Sequence, residues 1–411
     1  MRSEWRKPPL SLVLCVVVIA LLGACAGSGA PTPEPATIKF SHGEGQKEHF
    51  EDLAKQFGEQ YSNITINLIQ DQVDEADCFV GPAWDLPDHV QKGEVLALDA
   101  LLEEDFSFDR ADFYPGALGL FQRNGKLWGI PGGVDVLMMY YNQDLFDKAG
   151  VPIPQAGWTW NDFLTATMAI SKPDDGVFGY AAPQRADAFD AVLFVYQHGG
   201  RLFDSLNTPT TTTFDDPLTI EAVDWYARLI NEHNVAPTAK QVRELFGSEN
   251  WALFRGIQQG RIGTWIGFFS ERGGRTWPTE WEMRWGMALL PADATEFTGG
   301  TVDGYSIAAN TPYPEACWQW ISFLSRQLPA GTVPARKSVA LSDVFTQQVG
   351  KDVATSVRAA MQSAVLVSPE AAAFGNVLGI FYQGLQSVIE GNATAEEAMT
   401  QAQRQAAAFT P

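Results

Sequence analysis

The chain has 411 residues, a formal charge of −21, 45% hydrophobic residues and 12% aromatic residues. That length exceeds what a single hydrophobic core usually serves, so two folded bodies are expected, each with ample apolar material to pack. The acidic balance excludes nucleic acid and anionic lipid as partners, because both require a basic face.

The first ten residues, MRSEWRKPPL, carry Arg2, Arg6 and Lys7 ahead of an apolar run at 12–22. A run of about eleven residues has the length of a signal-peptide core, whereas crossing a bilayer takes roughly 20. It ends in LGAC, and small residues before Cys25 make it similar to the lipobox of bacterial lipoproteins, in which that cysteine is lipidated and becomes the new N-terminus. An ordinary secretory signal is the plainer alternative. The expected layout is a signal at 1–24, a flexible Gly, Ser, Pro and Ala linker at 25–36, and an exported body that touches a membrane only through its lipid anchor.

ATIKFSHG alternates as a strand, EHFEDLAKQFGEQY places Phe50, Leu53, Ala54, Phe57 and Tyr61 at helical spacing, and ITINLIQ alternates again. Strand, helix and strand at these lengths imply a right-handed parallel crossover. ADCFVGPAW adds a third strand. Ligands of such sheets sit beyond the carboxyl ends of the strands, which draws attention to Glu44 in HGEGQ and to Trp84 and Asp85 in GPAWD. Taken singly, each also reads as an ordinary solvated loop residue.

Farther on, IPGGVDVLMMYYN sets Asp135 between a Pro-Gly-Gly turn and a run that reads as a buried strand. An uncompensated charge there is costly, so it needs a partner, water or a ligand. Tyr140 and Tyr141, adjacent in a strand, point to opposite faces and read as packing. Thr159 with Asp162 caps the helix that starts at Trp160, and IEAVDWYARLI buries Ala222, Val223, Tyr226, Leu229 and Ile230 on one face. GRIGTWIGFF, RWGMALLP and GGTVDGYSIAAN read as further strands. EACWQWISFLSRQ and the tail return to helix, with Thr394 and Glu397 boxing the last one.

Of the four cysteines, Cys78 lies in a strand-like stretch and Cys317 in a helical one, which suggests two separate buried thiols, although an oxidising compartment would permit a bridge. No CxxC or His/Cys cluster suggests a metal, and no cofactor motif is present.

NGKLWGIPGGVDVLMMYYNQDLFDKAGV followed by TWNDF, FDDPLTIEAVDWYARLI with VAPT, GGTVDGYSIAAN followed by EACWQWISFL, and PARKSVA together resemble the extracellular solute-binding proteins that deliver ligands to ABC importers. The resemblance is to the large group that includes the maltose-binding protein, and it spans nearly the whole mature chain. It implies an α/β fold of periplasmic-binding-protein type II, with two lobes, each a mainly parallel sheet flanked by helices, joined by a hinge of several segments. The crossings would fall near 131–136, 300–305 and 334–338, giving one lobe at 37–131 plus 303–333 and another at 136–300 plus 339–411. Gly132, Gly133, Gly299, Gly300 and Gly304 tolerate dihedral angles that other residues avoid, and are expected to absorb the change of direction.

The resemblance also implies the function: capture of a mono- or oligosaccharide between the lobes by a monomer and delivery to importer permeases, without bond breakage. Sugar sites pair carboxylates at the ring edge with aromatic platforms over its face. Asp135, Asp303, Tyr305 and Arg336 are then the candidates at the crossings, Trp84 the platform of the first lobe, and Trp265 with Phe268 that of the second. A polyamine, glycerol phosphate or peptide is the alternative ligand, and an exported glycoside hydrolase using Glu44, Asp85 or Asp135 is the enzymatic one.

Overall fold

The computed structural model describes residues 35–183, 189–206, 209–249, 251–366 and 375–409. The expected leader, Cys25 and all but the end of the linker lie outside them. Within them the strands are β1 Ala36–His42, β2 Ile64–Gln70, β3 Cys78–Pro82, β4 Gln122–Arg123, β5 Lys126–Leu127, β6 Ile130–Asn142, β7 Phe178–Tyr180, β8 Ile262–Phe268, β9 Trp285–Ala288, β10 Thr298–Ile307, β11 Val333–Pro334 and β12 Ala364–Leu366.

β4 and β5 form a hairpin of their own, and the other strands make one sheet in the order β2-β1-β3-β10-β6-β8-β7, with β9 and β11 added to β6 and β12 to β10. β1 runs parallel to β2 and β3 at one end, and β7 runs parallel to β8 at the other. Between them β6 and β10 are antiparallel to each other and to their neighbours β8 and β3. The two lobes of this α/β fold therefore share a central antiparallel ribbon.

Helices cover the sheet by the faces their sequences dictate. Lys47–Gln60 buries Phe50, Leu53 and Phe57, and Pro217–Asn231 buries Ala222, Val223, Tyr226, Leu229 and Ile230. Thr159 with Asp162 and Thr394 with Glu397 both close capping boxes, satisfying amides that would otherwise lack partners at the helix starts. Pro314–Leu324 is buried almost all round, and Trp320 packs edge-on against Phe40 and Phe57 at ring distances of 5.7 and 5.1 Å.

As expected, Cys78 and Cys317 are both buried free thiols; what the sequence did not show is that they lie against each other, between β3 and the helix Pro314–Leu324.

The crossing glycines also need another explanation. Gly132, Gly133, Gly299, Gly300 and Gly304 are absent from the positive-φ positions, so they use no conformation denied to other residues. What most of them supply is space. A Cβ on Gly132 would sit 2.7 Å from the Tyr305 ring, one on Gly133 2.0 Å from Thr332 Oγ1, and one on Gly304 2.3 Å from Phe121 and 2.7 Å from the Ile130 carbonyl. The pairing of β6 with β10 shifts here: Gly133 opposes Asp303 while Pro131 opposes Gly304, leaving Gly132 as the extra residue of a bulge. Its carbonyl accepts from Ala335 N at 3.2 Å, and β11 pairs with β6 at Val134 and Gly133, so the three segments meet at one point.

Space and freedom can be separated by substitution. Gly304→Ala is expected to cost about 1–3 kcal/mol through overpacking. Gly299→Ala, whose added Cβ would find only ordinary contacts at 3.5 and 3.6 Å, should be neutral or slightly stabilising. Urea unfolding midpoints of the two variants test this; equal losses would restore the conformational explanation.

Candidate functional site

β6 is buried along its 13 residues except at Asp135, the one position with partial exposure. Its partner in β10 is Thr301, and the two partly exposed positions of β10 are Thr301 and Asp303. Opposed residues of an antiparallel pair share a face, and diagonal neighbours lie within reach of side chains. Asp135, Thr301 and Asp303 thus form a polar notch in an otherwise apolar ribbon.

The sheet explains why the notch lies there. Pro82, at the carboxyl end of β3, opposes Asp303, and Phe268, at the carboxyl end of β8, opposes Leu137. Because β1 parallels β3 and β7 parallels β8, the loops after all four strands face the same stretch of ribbon from its two sides. The loop after β1 carries Glu44, and the 3-10 turn Ala83–Asp85 carries Trp84 and Asp85. Beyond β8 follows the turn Phe269–Gly274, whose Ser270 N–H donates to Asp135 Oδ1 at 2.9 Å. A cavity of about 570 Å³ opens beside it, lined by Leu137, Asp190, Trp251, Trp265, Phe268 and Glu271, among others.

The carboxyls here are held in low-dielectric surroundings. Burial pushes Asp135 up to about 6; the Ser270 contacts oppose this, Asp303 adds repulsion and Arg272 a smaller attraction. Glu271 is pushed up to about 7 by burial and then by the charge of Asp135, with Trp277 donating to it in partial relief. Asp190, buried and bonded to the Tyr180 hydroxyl, is likewise raised to about 7, with Glu271 adding to the effect of burial. Asp303 is raised by burial. The guanidinium in their midst does not neutralise them all. Arg272 is lowered to about 10 by burial, and it donates to the carbonyls of Phe269 at 2.8 Å and Gly331 at 2.5 Å while lying 4.0 Å over the Phe269 ring. Burial thus shifts Asp135, Glu271 and Asp190 toward the neutral range, where a carboxyl that keeps its proton can donate as well as accept. Among the described residues no group of three or more His, Cys, Asp or Glu is arranged to hold a metal ion.

The family profile for bacterial extracellular solute-binding proteins matches residues 52–353. The chain belongs to that family. A binding protein of Brucella abortus is 26% identical over 329 residues, covering 72% of this chain and 75% of its own. The ABC substrate-binding protein of Listeria monocytogenes, solved with cycloalternan, superposes with a TM-score of 0.73 at 20% identity, covering 90% of this chain and 98% of its own. Maltose-bound MalE3 of T. maritima gives 0.69 at 17% identity, covering 91% and 100%. At such identities the two solved structures establish the fold, that of two-lobed binding proteins. Family membership places the protein among exported solute binders.

In this solute-binding protein the sequence candidates divide. Asp135, Asp303 and Phe268 lie on the ribbon or at the end of β8 with part of their surface open, and Glu44, Trp84 and Asp85 are exposed on loops facing it. Trp84 is 49% exposed, which suits a platform. Three candidates are more enclosed than the sequence suggested. Trp265 offers no open face: it is 2% exposed and stacked on Tyr140 at 5.7 Å, although its indole N–H has no partner and the residue lines the cavity. Tyr305 is 4% exposed, its ring filling the space over Gly132. Arg336 is a buried strut. It donates to Asp112 at 3.2 Å and Ser325 at 3.0 Å and lies 4.3 Å over Phe113, so no guanidinium reaches the notch from that segment.

Sequence reasoning missed Ser270, Glu271, Arg272 and Asp190. SERGG following an aromatic strand end, and a lone Asp opening the apolar helix Phe189–Gln197, were the available signals.

The raised carboxyls carry a consequence for stability. An acid with a higher pKa folded than unfolded binds more protons when folded, so the unliganded protein loses stability as pH rises from about 4 through about 7. For Asp135 the difference corresponds to on the order of 2–3 kcal/mol. Asp135→Asn keeps an acceptor for Ser270 without the charge. It should raise unliganded stability by about 1–3 kcal/mol at pH 8 and change little at pH 5. Urea unfolding at both values tests this, and an equal effect at each would show that burial of the charge is not the cause.

Proposed function

We propose that the protein is the sugar-capturing component of an ABC importer, closing its two lobes around a mono- or oligosaccharide at the Asp135 notch. The observation that carries this reading is the single opening in β6, where a half-buried carboxyl faces the strand ends of both lobes. A sugar hydroxyl supplies what that carboxyl lacks, and hydrogen bonds to charged groups are among the stronger ones. Trp84 on one side and Phe268 on the other supply apolar faces for the ring's C–H surfaces. The cycloalternan and maltose held by the two structural relatives favour a saccharide ligand over other polar solutes.

Hinge closure around a ligand belongs to the known repertoire of periplasmic binding proteins. The ligand favours the closed state only through contacts that the open state lacks. Importer permeases would then receive loaded, closed protein, with a monomeric binder held nearby by lipid on Cys25. The crossings 131–136, 300–305 and 334–338 serve as the hinge in this reading. A polyamine is the second reading, favoured by the cluster of Asp135, Asp303, Glu271 and Asp190 around a guanidinium already committed to carbonyls.

A thermal-shift screen with maltose, maltotriose, cyclic glucans, arabinose oligomers, mannitol and spermidine decides between them. A saccharide should raise the melting temperature and be recovered intact. Asp135→Ala should then weaken its binding by about 10–100-fold. Trp84→Ala should weaken it by about tenfold or more while leaving the unliganded melting temperature unchanged, as expected for a half-exposed side chain. Stabilisation by spermidine alone would transfer the assignment to the polyamine, and recovered cleavage products would overturn both.

A further inference from the structure

We infer that Cys78 and Cys317 are joined by a disulfide in the exported protein, as a covalent tie between the two chain segments that build the β1–β3 end of the sheet. Cys78 opens β3, where it opposes Ile307 of β10 and Phe40 of β1. Cys317 lies on the helix Pro314–Leu324, which follows β10 in the chain and packs back over Phe40 and Phe57 through Trp320. Both side chains are 0% exposed, and their thiols are within hydrogen-bonding reach of each other. They are also the only cysteines after position 25. The structure holds them as free thiols in mutual contact; two buried thiols brought together by a strand and a helix distant in sequence, in a protein that works outside the cytoplasm, are placed where an oxidising compartment would join them.

The architecture gives the tie a purpose. The segment holding β1 to β3 and the segment holding β10 with its following helix are separated in the chain by all the strands from β4 to β9. This end of the sheet is therefore assembled from two pieces with a long excursion between them. A bridge closing a loop of roughly 240 residues removes a large part of the unfolded chain's freedom, because loop-closure entropy grows with loop length. It also fixes β3, which ends at Pro82 opposite Asp303 and leads into the turn bearing Trp84.

The chemistry constrains when the bond forms. Burial holds the Cys78 thiol well above its usual range, and neither sulfur is open to an oxidant in the folded state. The exchange must precede docking of the helix on the sheet. One thiolate attacks a disulfide-bearing oxidant, forming a mixed disulfide and expelling one thiol. The second cysteine then displaces the other. In total two S–H bonds are lost and one S–S bond is made, while two electrons and two protons reduce the oxidant's disulfide to two thiols.

The test uses the full chain exported through an oxidising compartment, denatured without reductant, alkylated and mapped by mass spectrometry. The expected result is a cross-linked pair of peptides containing Cys78 and Cys317, with neither position alkylated. In melts, added reductant should lower the wild-type melting temperature by about 5–10 °C and leave that of Cys78→Ala/Cys317→Ala unmoved. Quantitative alkylation of both cysteines without reductant, or a wild-type melt indifferent to reductant, would overturn the inference. Neither readout involves the ligand, so the result stands apart from the sugar assignment.

Discussion

β6 and β10 belong to both lobes at once, and that double membership constrains nearly every residue along them. A strand packed on both faces can afford no side chain that clashes and no charge without a partner. Gly132, Gly133 and Gly304 meet the first demand by leaving room for the Tyr305 ring, Thr332 and Phe121. Asp135 strains the second, with the Ser270 N–H as its backbone donor, and it lies opposite Thr301 and near the partly buried Asp303. One position therefore couples the framework to the site. Enlarging a neighbouring glycine would disturb the register that presents the carboxylate, and removing the carboxylate would leave the framework intact.

Two partly buried acids show how differently the fold treats charge. Asp112 is held below the usual carboxylate range by Ser338 and by Arg336, whose guanidinium also bonds Ser325 and lies over Phe113. That carboxylate has its partners, and the pair knits together segments distant in sequence. Asp135 has one backbone donor from Ser270, and its acidic neighbours Asp303 and Glu271 raise rather than relieve the cost of its charge. A group kept where it destabilises the empty protein is expected at a functional site, where a ligand supplies the missing partner.

The architecture was largely legible because its signals are local. The alternation of ATIKFSHG and ITINLIQ, the apolar stripe around Tyr226 and the capping residues Thr159 and Thr394 each fix one element from neighbouring residues alone, and each formed as read. Asp135 stood out for the same reason, as a charge inside an apolar run. What sequence could not show is which side chains meet across long separations. Arg336 read equally as a ligand contact or as half of an ion pair because its partner Asp112 lies 224 residues away, and Trp265 read as a platform because its stacking partner Tyr140 is on another strand. The same limit hid the contact between Cys78 and Cys317, and it left the crossing glycines with an explanation based on torsional freedom when the cause is tertiary crowding.

A site built at the junction of two lobes has a property that a pocket within one lobe lacks. Asp135 is anchored on the shared ribbon, Trp84 follows a strand on one side, and Phe268, Ser270 and Glu271 follow a strand on the other. In the proposed closure, a rotation of one lobe against the other would change the distance from Trp84 to Phe268 more than it would move Asp135 on the shared ribbon. A ligand gripped at its edge by the ribbon and on its faces by the two sides loses contacts whenever the lobes part. Its affinity thus differs between the two states, and that difference is the whole of what a ligand can contribute to closure. The bulge at Gly132, with its carbonyl taken by Ala335, ties the third segment to the ribbon beside the carboxylate, which would hold it in place in the proposed closure.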